Sequence, residues 1–189
     1  MHHGAIFAGF GGQGLLFCGH VLAQAALHEG RHVTWMPSYG PEMRGGTASC
    51  TVIISDHPIG SPIVDGADSV IALNPPSLAR FEAALAVGGL LVLNTSLIEA
   101  EPSRSDIDVL ALPCTGIASE IGDVRLVSMV ALGGLVAYRP IVRAESVRTA
   151  LRELLSGKKA SMIDTDIAAF ERGLEAAAPI SELITEVYA

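Results

Sequence analysis

The sequence predicts a single three-layer α/β/α domain that has a mostly parallel, mixed sheet and extra C-terminal helices. Short apolar runs alternate with helical patterns over the first part of the chain, which is typical of α/β folds. After Pro113 the pattern is helical only. The length of 189 residues fits one domain. We expect residues 1–178 to form this domain and residues 179–189 a C-terminal tail.

The first elements form a β-α-β pattern. Residues 5–9 are a short apolar run that predicts a buried strand, and residues 13–29 carry apolar side chains at helical spacing. Gly30 then ends the helix. Residues 32–36 predict a second strand, which we expect Pro37 to stop, and the crossover between the two strands is expected to be right-handed.

The middle of the chain is rich in strands. Residues 47–55 predict an unusually long strand, and residues 62–64 predict a small strand that pairs back and makes the sheet mixed. Asn74 and two prolines begin a helix that runs to about residue 85. The remaining strands are predicted at residues 69–73, 89–93 and 107–112.

The C-terminal part predicts helices alone. One of them, at residues 126–138, is long and apolar, and the helix at residues 162–178 is amphipathic and is expected to end at Pro179. The other two helices are predicted at residues 115–121 and 144–155.

Composition excludes several classes of function. The formal net charge is −8, so a nucleic-acid-binding protein, which usually carries a basic stripe, is not expected. Cys18, Cys50 and Cys114 have no C-x-x-C spacing, which argues against an iron–sulfur or zinc site held by this chain and favours a reduced, cytoplasmic protein. The apolar run at residues 129–137 is shorter than the roughly 20 residues that cross a bilayer.

The segment Gly9-Phe10-Gly11-Gly12-Gln13-Gly14 matches the glycine pattern of dinucleotide-binding loops. It follows a predicted strand and opens a predicted helix, whose N-terminus favours negative charge. An NAD or FAD site usually has an acidic residue at the end of the second strand, but here that strand ends Thr34-Trp35-Met36-Pro37. Three interpretations remain: a tight turn that allows close packing, a phosphate-bearing ligand, or a contact with another subunit.

The segment from Ser38 to Thr47 has the sequence SYGPEMRGGT. Because each of these two glycine-bearing segments leaves or enters a predicted strand, we expect them to form a shared surface at one end of the sheet. Pro41, together with Pro37 just before the segment, reduces the entropy of the unfolded loop, and the guanidinium of Arg44 is suited to a carboxylate or a phosphate. Arg44 either forms an ion pair within the chain, for example with Glu42, or contacts a ligand or another subunit. The second interpretation is favoured, because two glycines beside an arginine allow a bulky partner to approach closely.

The spacing of reactive side chains indicates no catalytic acid, base or nucleophile. The histidines lack metal-ligand spacing, and neither a Ser-His-Asp set nor a carboxylate pair can be argued from the sequence. A chain with two elaborate loops and no chemistry of its own is expected to be one part of a larger enzyme.

Three motifs together resemble one family. They are GFGGQG at residues 9–14, PSYGPEMRGGTASCT at residues 37–51 and VSMVALG at residues 127–133. With these motifs the chain resembles the gamma subunits of the 2-oxoacid:ferredoxin oxidoreductases, a family of enzymes for 2-oxoglutarate, pyruvate, branched-chain 2-oxoacids or arylglyoxylates. The resemblance covers roughly residues 5–155 and departs from the family at Ser128, where asparagine is common.

This resemblance implies a complex that oxidatively decarboxylates a 2-oxoacid to an acyl-CoA. Thiamine diphosphate, Mg²⁺ and iron–sulfur clusters belong to the alpha, beta and ferredoxin-like subunits, so no cofactor is expected on this chain alone. The gamma subunit is accessory, packs on the catalytic subunits and helps to shape the coenzyme A site. The residues implied at that site are Gly11, Gly12, Gln13, Gly14, Tyr39, Arg44, Gly45, Gly46 and Thr47.

Two other functions are compatible with the residues. The chain could be a stand-alone dinucleotide-binding oxidoreductase, which the missing ribose carboxylate disfavours. It could also be a purely structural scaffold whose loops bind neighbouring subunits. The sequence gives neither the 2-oxoacid nor the electron acceptor.

Overall fold

A six-stranded sheet forms the centre of the computed structural model, which describes residues 1–39 and 47–187. The strand order is β2-β3-β1-β4-β5-β6. Every strand except β3 runs in the same direction, so the sheet is mixed and mostly parallel, as predicted. The strands are β1 (His2–Phe10), β2 (His32–Tyr39), β3 (Thr47–Ser55), β4 (Ala67–Ala72), β5 (Leu85–Asn94) and β6 (Asp108–Leu112).

Helices cover the sheet unequally. Helix α1 packs on β2 and β3 on one face, and the C-terminal helices continue that layer, whereas α2 packs on β1 and β4 on the other face. The helices are α1 (Leu15–His28), α2 (Pro75–Phe81), α3 (Cys114–Ile121), α4 (Val127–Tyr138), α5 (Ala144–Leu154) and α6 (Ile163–Val187), with short 3₁₀ turns at Glu82–Ala84, Val124–Leu126 and Gly157–Met162.

The position of β3 differs from the simple β-α-β pattern. Strand β3 lies between β1 and β2 and is antiparallel to both, in register from His2 opposite Ser55 to Phe10 opposite Thr47. Its length makes this possible, since it pairs along nearly the whole of both neighbours. The prediction of a small strand at residues 62–64 is wrong: Pro62 lies in a bend and the next two residues have no regular secondary structure, and β3 is the strand that makes the sheet mixed.

Two prolines do not end the elements in which they lie. Strand β2 continues through Pro37, which is compatible with an edge strand because an edge residue needs no hydrogen bond on its outer side. Helix α6 continues past Pro179 to Val187.

Helix α4 is enclosed by the rest of the fold. Its residues from Val127 to Val136 are buried, so the helix is apolar on all sides. It crosses α6 at Gly133 and Gly173, where the two backbones touch: a Cβ on Gly133 would lie 2.8 Å from the Leu174 nitrogen and 2.9 Å from the Gly173 Cα. None of the described helices is long and apolar enough to span a membrane.

Candidate functional site

The first glycine loop lies at the carboxyl end of β1. Gly12 and Gly14 have φ angles of 97° and 75°, which glycine adopts without strain. The Gln13 side chain closes the turn, because its Oε1 accepts a 2.6 Å hydrogen bond from the Phe10 N–H. Gly14 caps α1 without a side-chain hydrogen bond, so the loop presents the N-terminus of α1 uncovered by any capping side chain.

The glycines of this loop have different roles. Gly9 and Gly14 are needed for packing: a Cβ on Gly9 would lie 3.1 Å from Leu15 Cδ1 and from Leu73 Cβ. Gly12, in contrast, has no atom within 4 Å of its Cβ position, and Gly11 and Gly12 are exposed. Close packing therefore explains the first and last glycines, and the middle pair is free to face a ligand or another subunit.

The second motif begins and ends at the same edge of the sheet. Phe10 lies opposite Thr47, and Tyr39 lies opposite Ala48, so the ends of β1 and β2 and the start of β3 are neighbours. This geometry agrees with the prediction of two loops at one end of the sheet. Arg44, Gly45 and Gly46 lie outside the described residues. We call this end of the sheet, from Phe10 to Gly14 with Tyr39 and Thr47, the glycine edge.

The third motif also reaches the glycine edge, through the first turn of α4. A Cβ on Gly14 would lie 2.8 Å from the Ser128 Oγ and 3.1 Å from the Arg125 carbonyl oxygen. The Cys18 thiol donates a 3.2 Å hydrogen bond to the Ser128 carbonyl oxygen. Ser128 is buried, so the position at which this chain departs from the family is a packing contact between α1 and α4.

The contact between Gly14 and Ser128 gives a testable coupling. Gly14→Ala is expected to cost about 2 kcal/mol, because alanine is strained at this φ and its Cβ meets the Ser128 Oγ. Ser128→Ala in the same chain should recover about 1 kcal/mol, since it removes the crowding oxygen. Urea unfolding of the two single variants and the double variant measures this. Gly12→Ala is the matched control, because Gly12 has a similarly strained φ but no crowding at its Cβ position. If Gly12→Ala and Gly14→Ala cost the same free energy of unfolding, and Ser128→Ala recovers none of it, the packing contact between Gly14 and Ser128 is contradicted.

Two buried asparagines lie at the carboxyl ends of β4 and β5: Asn74, which the sequence analysis assigned to the start of a helix, and Asn94, which it did not single out. The Asn94 Nδ2 donates to the Leu73 carbonyl at 3.0 Å and to Thr115 Oγ1 at 2.9 Å, which ties β4, β5 and α3 together. The Asn74 Oδ1 caps α2 by accepting from the Ser77 N–H at 2.9 Å. The signal in the sequence is an asparagine directly after each of two apolar strands.

The switch point of the fold, where successive connections leave the sheet on opposite faces, lies between β1 and β4. The chain leaves β1 toward α1 on one face and β4 toward α2 on the other, so the carboxyl ends of these two strands border the position at which this fold class forms its crevice. Ligands of open α/β sheets bind in such crevices. The glycine edge therefore occupies the position that the fold class uses for binding.

The geometry argues against a dinucleotide site of the usual kind. In that site the strand after the first helix lies beside β1 and its terminal acidic residue reaches the ribose. Here β3 separates β2 from β1, and β2 ends with uncharged residues from Trp35 to Tyr39. The arrangement favours a phosphate-bearing ligand or a subunit contact over NAD or FAD.

The three cysteines are buried and free. Burial raises the pKa of the Cys50 thiol and of the Cys114 thiol to about 12, and it raises the pKa of Cys18 as well. Neutral thiols are poor nucleophiles and poor metal ligands. Within the described residues no group of three or more His, Cys, Asp or Glu side chains is placed to hold a metal ion.

One acidic side chain near the glycine edge is buried. Asp166, in the first turn of α6, is only 3% exposed, and its Oδ2 has no hydrogen-bond partner among the described residues. The pKa of this carboxyl is raised from 3.8 to about 6, mainly by burial and in addition by the nearby Asp123 carboxylate, whereas Arg125 opposes both effects. Asp123 and Arg125 form an ion pair of their own at 2.6 Å.

The fold is a mixed α/β domain in which conspicuous sequence motifs meet at the switch point of the sheet. Residues 4–176 match the pyruvate ferredoxin/flavodoxin oxidoreductase family, and the chain belongs to that family. The predicted resemblance to its gamma subunits is confirmed by the relatives and by the structural match that follow.

Two curated relatives and one solved structure illustrate the match. The chain is 42% identical over 169 residues to ketoisovalerate oxidoreductase subunit VorA of Methanothermobacter thermautotrophicus, covering 89% of this chain and 35% of VorA. It is 32% identical to 2-oxoglutarate synthase subunit KorC of Methanocaldococcus jannaschii, covering 90% and 91% of the two chains. The keto/oxoacid ferredoxin oxidoreductase gamma subunit of Geobacter sulfurreducens superposes with a TM-score of 0.82 at 30% identity, covering 94% and 97%. The chain thus spans about a third of VorA.

Proposed function

We propose that the chain is the accessory gamma subunit of a complex that oxidatively decarboxylates a 2-oxoacid to an acyl-CoA. The observation that carries this proposal is the meeting of three family motifs at the switch point. Gly14 packs against Ser128, and Phe10 lies opposite Thr47. The part of the chain that the structure describes offers a shaped edge there and no nucleophile, so its role is to bind and to be covered.

The described residues do not fit the redox cofactors of such a complex. The three cysteines are buried and their thiols have raised pKa values, so they supply no thiolate set for an iron–sulfur cluster. In the proposed complex thiamine diphosphate, Mg²⁺ and the iron–sulfur clusters lie on the alpha, beta and ferredoxin-like subunits. As part of this proposal, the complex is located in the cytoplasm.

Coenzyme A is the ligand that we assign to the glycine edge. Its phosphates suit backbone N–H groups at a helix N-terminus, and Gly11 and Gly12 leave the approach to α1 open. Gln13 holds the turn, and Tyr39, Arg44, Gly45, Gly46 and Thr47 complete the same edge in this proposal. Arg44 supplies the positive charge that a phosphate requires.

Arg44→Ala tests this assignment in the assembled complex. We expect the apparent KM for coenzyme A to rise about tenfold with little change in kcat, because one charge-assisted contact is worth roughly 1.4 kcal/mol. Steady-state kinetics at varied coenzyme A measures it. Arg152→Ala, at a partly exposed arginine on α5, is the control and should leave the KM unchanged.

The same experiment distinguishes the scaffold interpretation. If Arg44→Ala leaves the KM for coenzyme A unchanged but weakens assembly, the segment binds a neighbouring subunit and not the substrate. A dinucleotide-dependent enzyme would instead be revealed by NAD or flavin bound to the purified chain.

A further inference from the structure

The second face of the sheet is covered only in part. Thr34, Met36 and Ser38 of β2 lie on this face with Ser49 and Thr51 of β3, and we call these five residues the open face. Side chains along each strand alternate between the two faces of the sheet, and this alternation defines the open face. The neighbouring residues on the other face, Val33, Cys50, Val52 and Ile54, belong to the core under α1. The register places Met36 opposite Thr51, and Thr51 opposite Ile6, which belongs to the core under α2.

The open face is therefore the continuation of the face that α2 covers. Helix α2 packs on β1 and β4, and α1, the helix that packs on β2 and β3, lies on the opposite side. Met36 is 44% exposed, Ser38 is exposed, and Thr34, Ser49 and Thr51 are half-buried. In domains with mostly parallel sheets, helices normally cover both faces of the sheet. Here the half of the second face that β2 and β3 form has no helix packed on it among the described residues.

The chemistry of the open face is unlike the rest of the surface. The chain has a formal net charge of −8, yet none of the five side chains is charged. Met36 is the large apolar side chain of this set. An exposed methionine among uncharged side chains is typical of the centre of a protein interface. This surface fits a neutral, partly apolar partner.

We propose that the open face is covered by the companion polypeptide that continues beyond this domain in VorA. The present chain spans 35% of that relative, so in VorA a further polypeptide is covalently tied to the same domain. The open face also runs into the glycine edge, because Ser38 and Ser49 lie opposite each other next to Tyr39 and Ala48. One partner can cover both surfaces. The inference rests on the proposed function and adds the surface through which the subunits join.

The test co-expresses this chain with the source organism's polypeptide that corresponds to the part of VorA outside this domain. Met36→Glu is expected to weaken their association about tenfold or more, because it buries a carboxylate in the interface. Val87→Glu is the matched control: Val87 is 81% exposed on β5, outside the open face, and its substitution should leave association unchanged. Affinity is measured by surface plasmon resonance, and thermal unfolding checks that both variants fold.

Hydrogen–deuterium exchange of the wild-type chain tests the same surface without a substitution. We expect amides of residues 32–38 and 49–53 to exchange at least several-fold more slowly in the complex than in the chain alone. The inference is overturned, and the proposed function stands, if the complex forms without protection of these amides or if the Met36→Glu variant binds the companion as tightly as the wild type does. It is also overturned if ultracentrifugation shows that the open face joins two copies of this chain. If the wild-type chain forms no complex with the companion at all, both the inference and the proposed function are rejected.

Discussion

Gly133→Ala is expected to destabilise the domain by about 3 kcal/mol or more, the largest loss among the substitutions considered. The reason is the crossing of α4 and α6, where the position of a Cβ on Gly133 is occupied by backbone atoms of Phe170, Gly173 and Leu174. Backbone cannot rotate away as a side chain does, so the two helices must separate. Urea unfolding followed by circular dichroism measures the loss.

Gly116→Ala is the matched control for this effect. Gly116 is also helical, but it is exposed, and its Cβ would lie 3.6 Å from Ser96 Oγ and 3.9 Å from Pro113 Cβ, which are ordinary contacts. Alanine is the better helix former, so stability should stay equal or rise by up to about 1 kcal/mol. Equal stability of the two variants would show that the helices do not touch at Gly133.

Asp166→Asn is expected to stabilise the domain at neutral pH. The pKa of Asp166 is raised from 3.8 to about 6, so the fold prefers the protonated carboxyl. The stability that this group contributes is fully present below pH 3.8 and is lost as the pH rises through 6. Asparagine keeps the shape without the charge. The gain should therefore grow with pH and reach about 1 to 3 kcal/mol at pH 8.

The measurement compares the free energy of unfolding of the variant and the wild type at pH 4.5 and pH 8. The difference between the two proteins should be larger at pH 8 by roughly 1 to 2 kcal/mol. Asp164→Asn, an exposed carboxylate in the same turn of α6, should change stability by about 0.5 kcal/mol or less at both pH values. A gain that is the same at both pH values would mean that Asp166 is ionised in the fold without penalty.

Much of the fold could be predicted because the pattern of each segment agrees with its environment. The strands predicted at residues 5–9, 69–73 and 89–93 are buried and mainly apolar runs, and α4 reads as an apolar helix because it is enclosed on every side. The errors fall where local signals are ambiguous. Proline was expected to end β2 and α6, but an edge strand tolerates Pro37, and α6 continues past Pro179.

The candidate site could be predicted in part. The glycine motif and the segment after β2 indicated one edge of the sheet, and the register of β1, β2 and β3 brings their ends together. Asn74 was expected to begin α2 and does so. Asn94 and Asp166 were not singled out, because a single asparagine or aspartate has no distinctive spacing. Their roles depend on hydrogen bonds and burial between segments far apart in the sequence.

The sequence by itself determined the α/β class, the family motifs and the absence of a recognisable nucleophile motif, since these depend on residue type and on spacing along the chain. Only the tertiary structure decided that β3 lies between β1 and β2, that Gly14 meets Ser128, and that half of one sheet face is left open. Strand order and burial are set by pairing and packing between distant segments, and no local pattern records which partner a strand will choose.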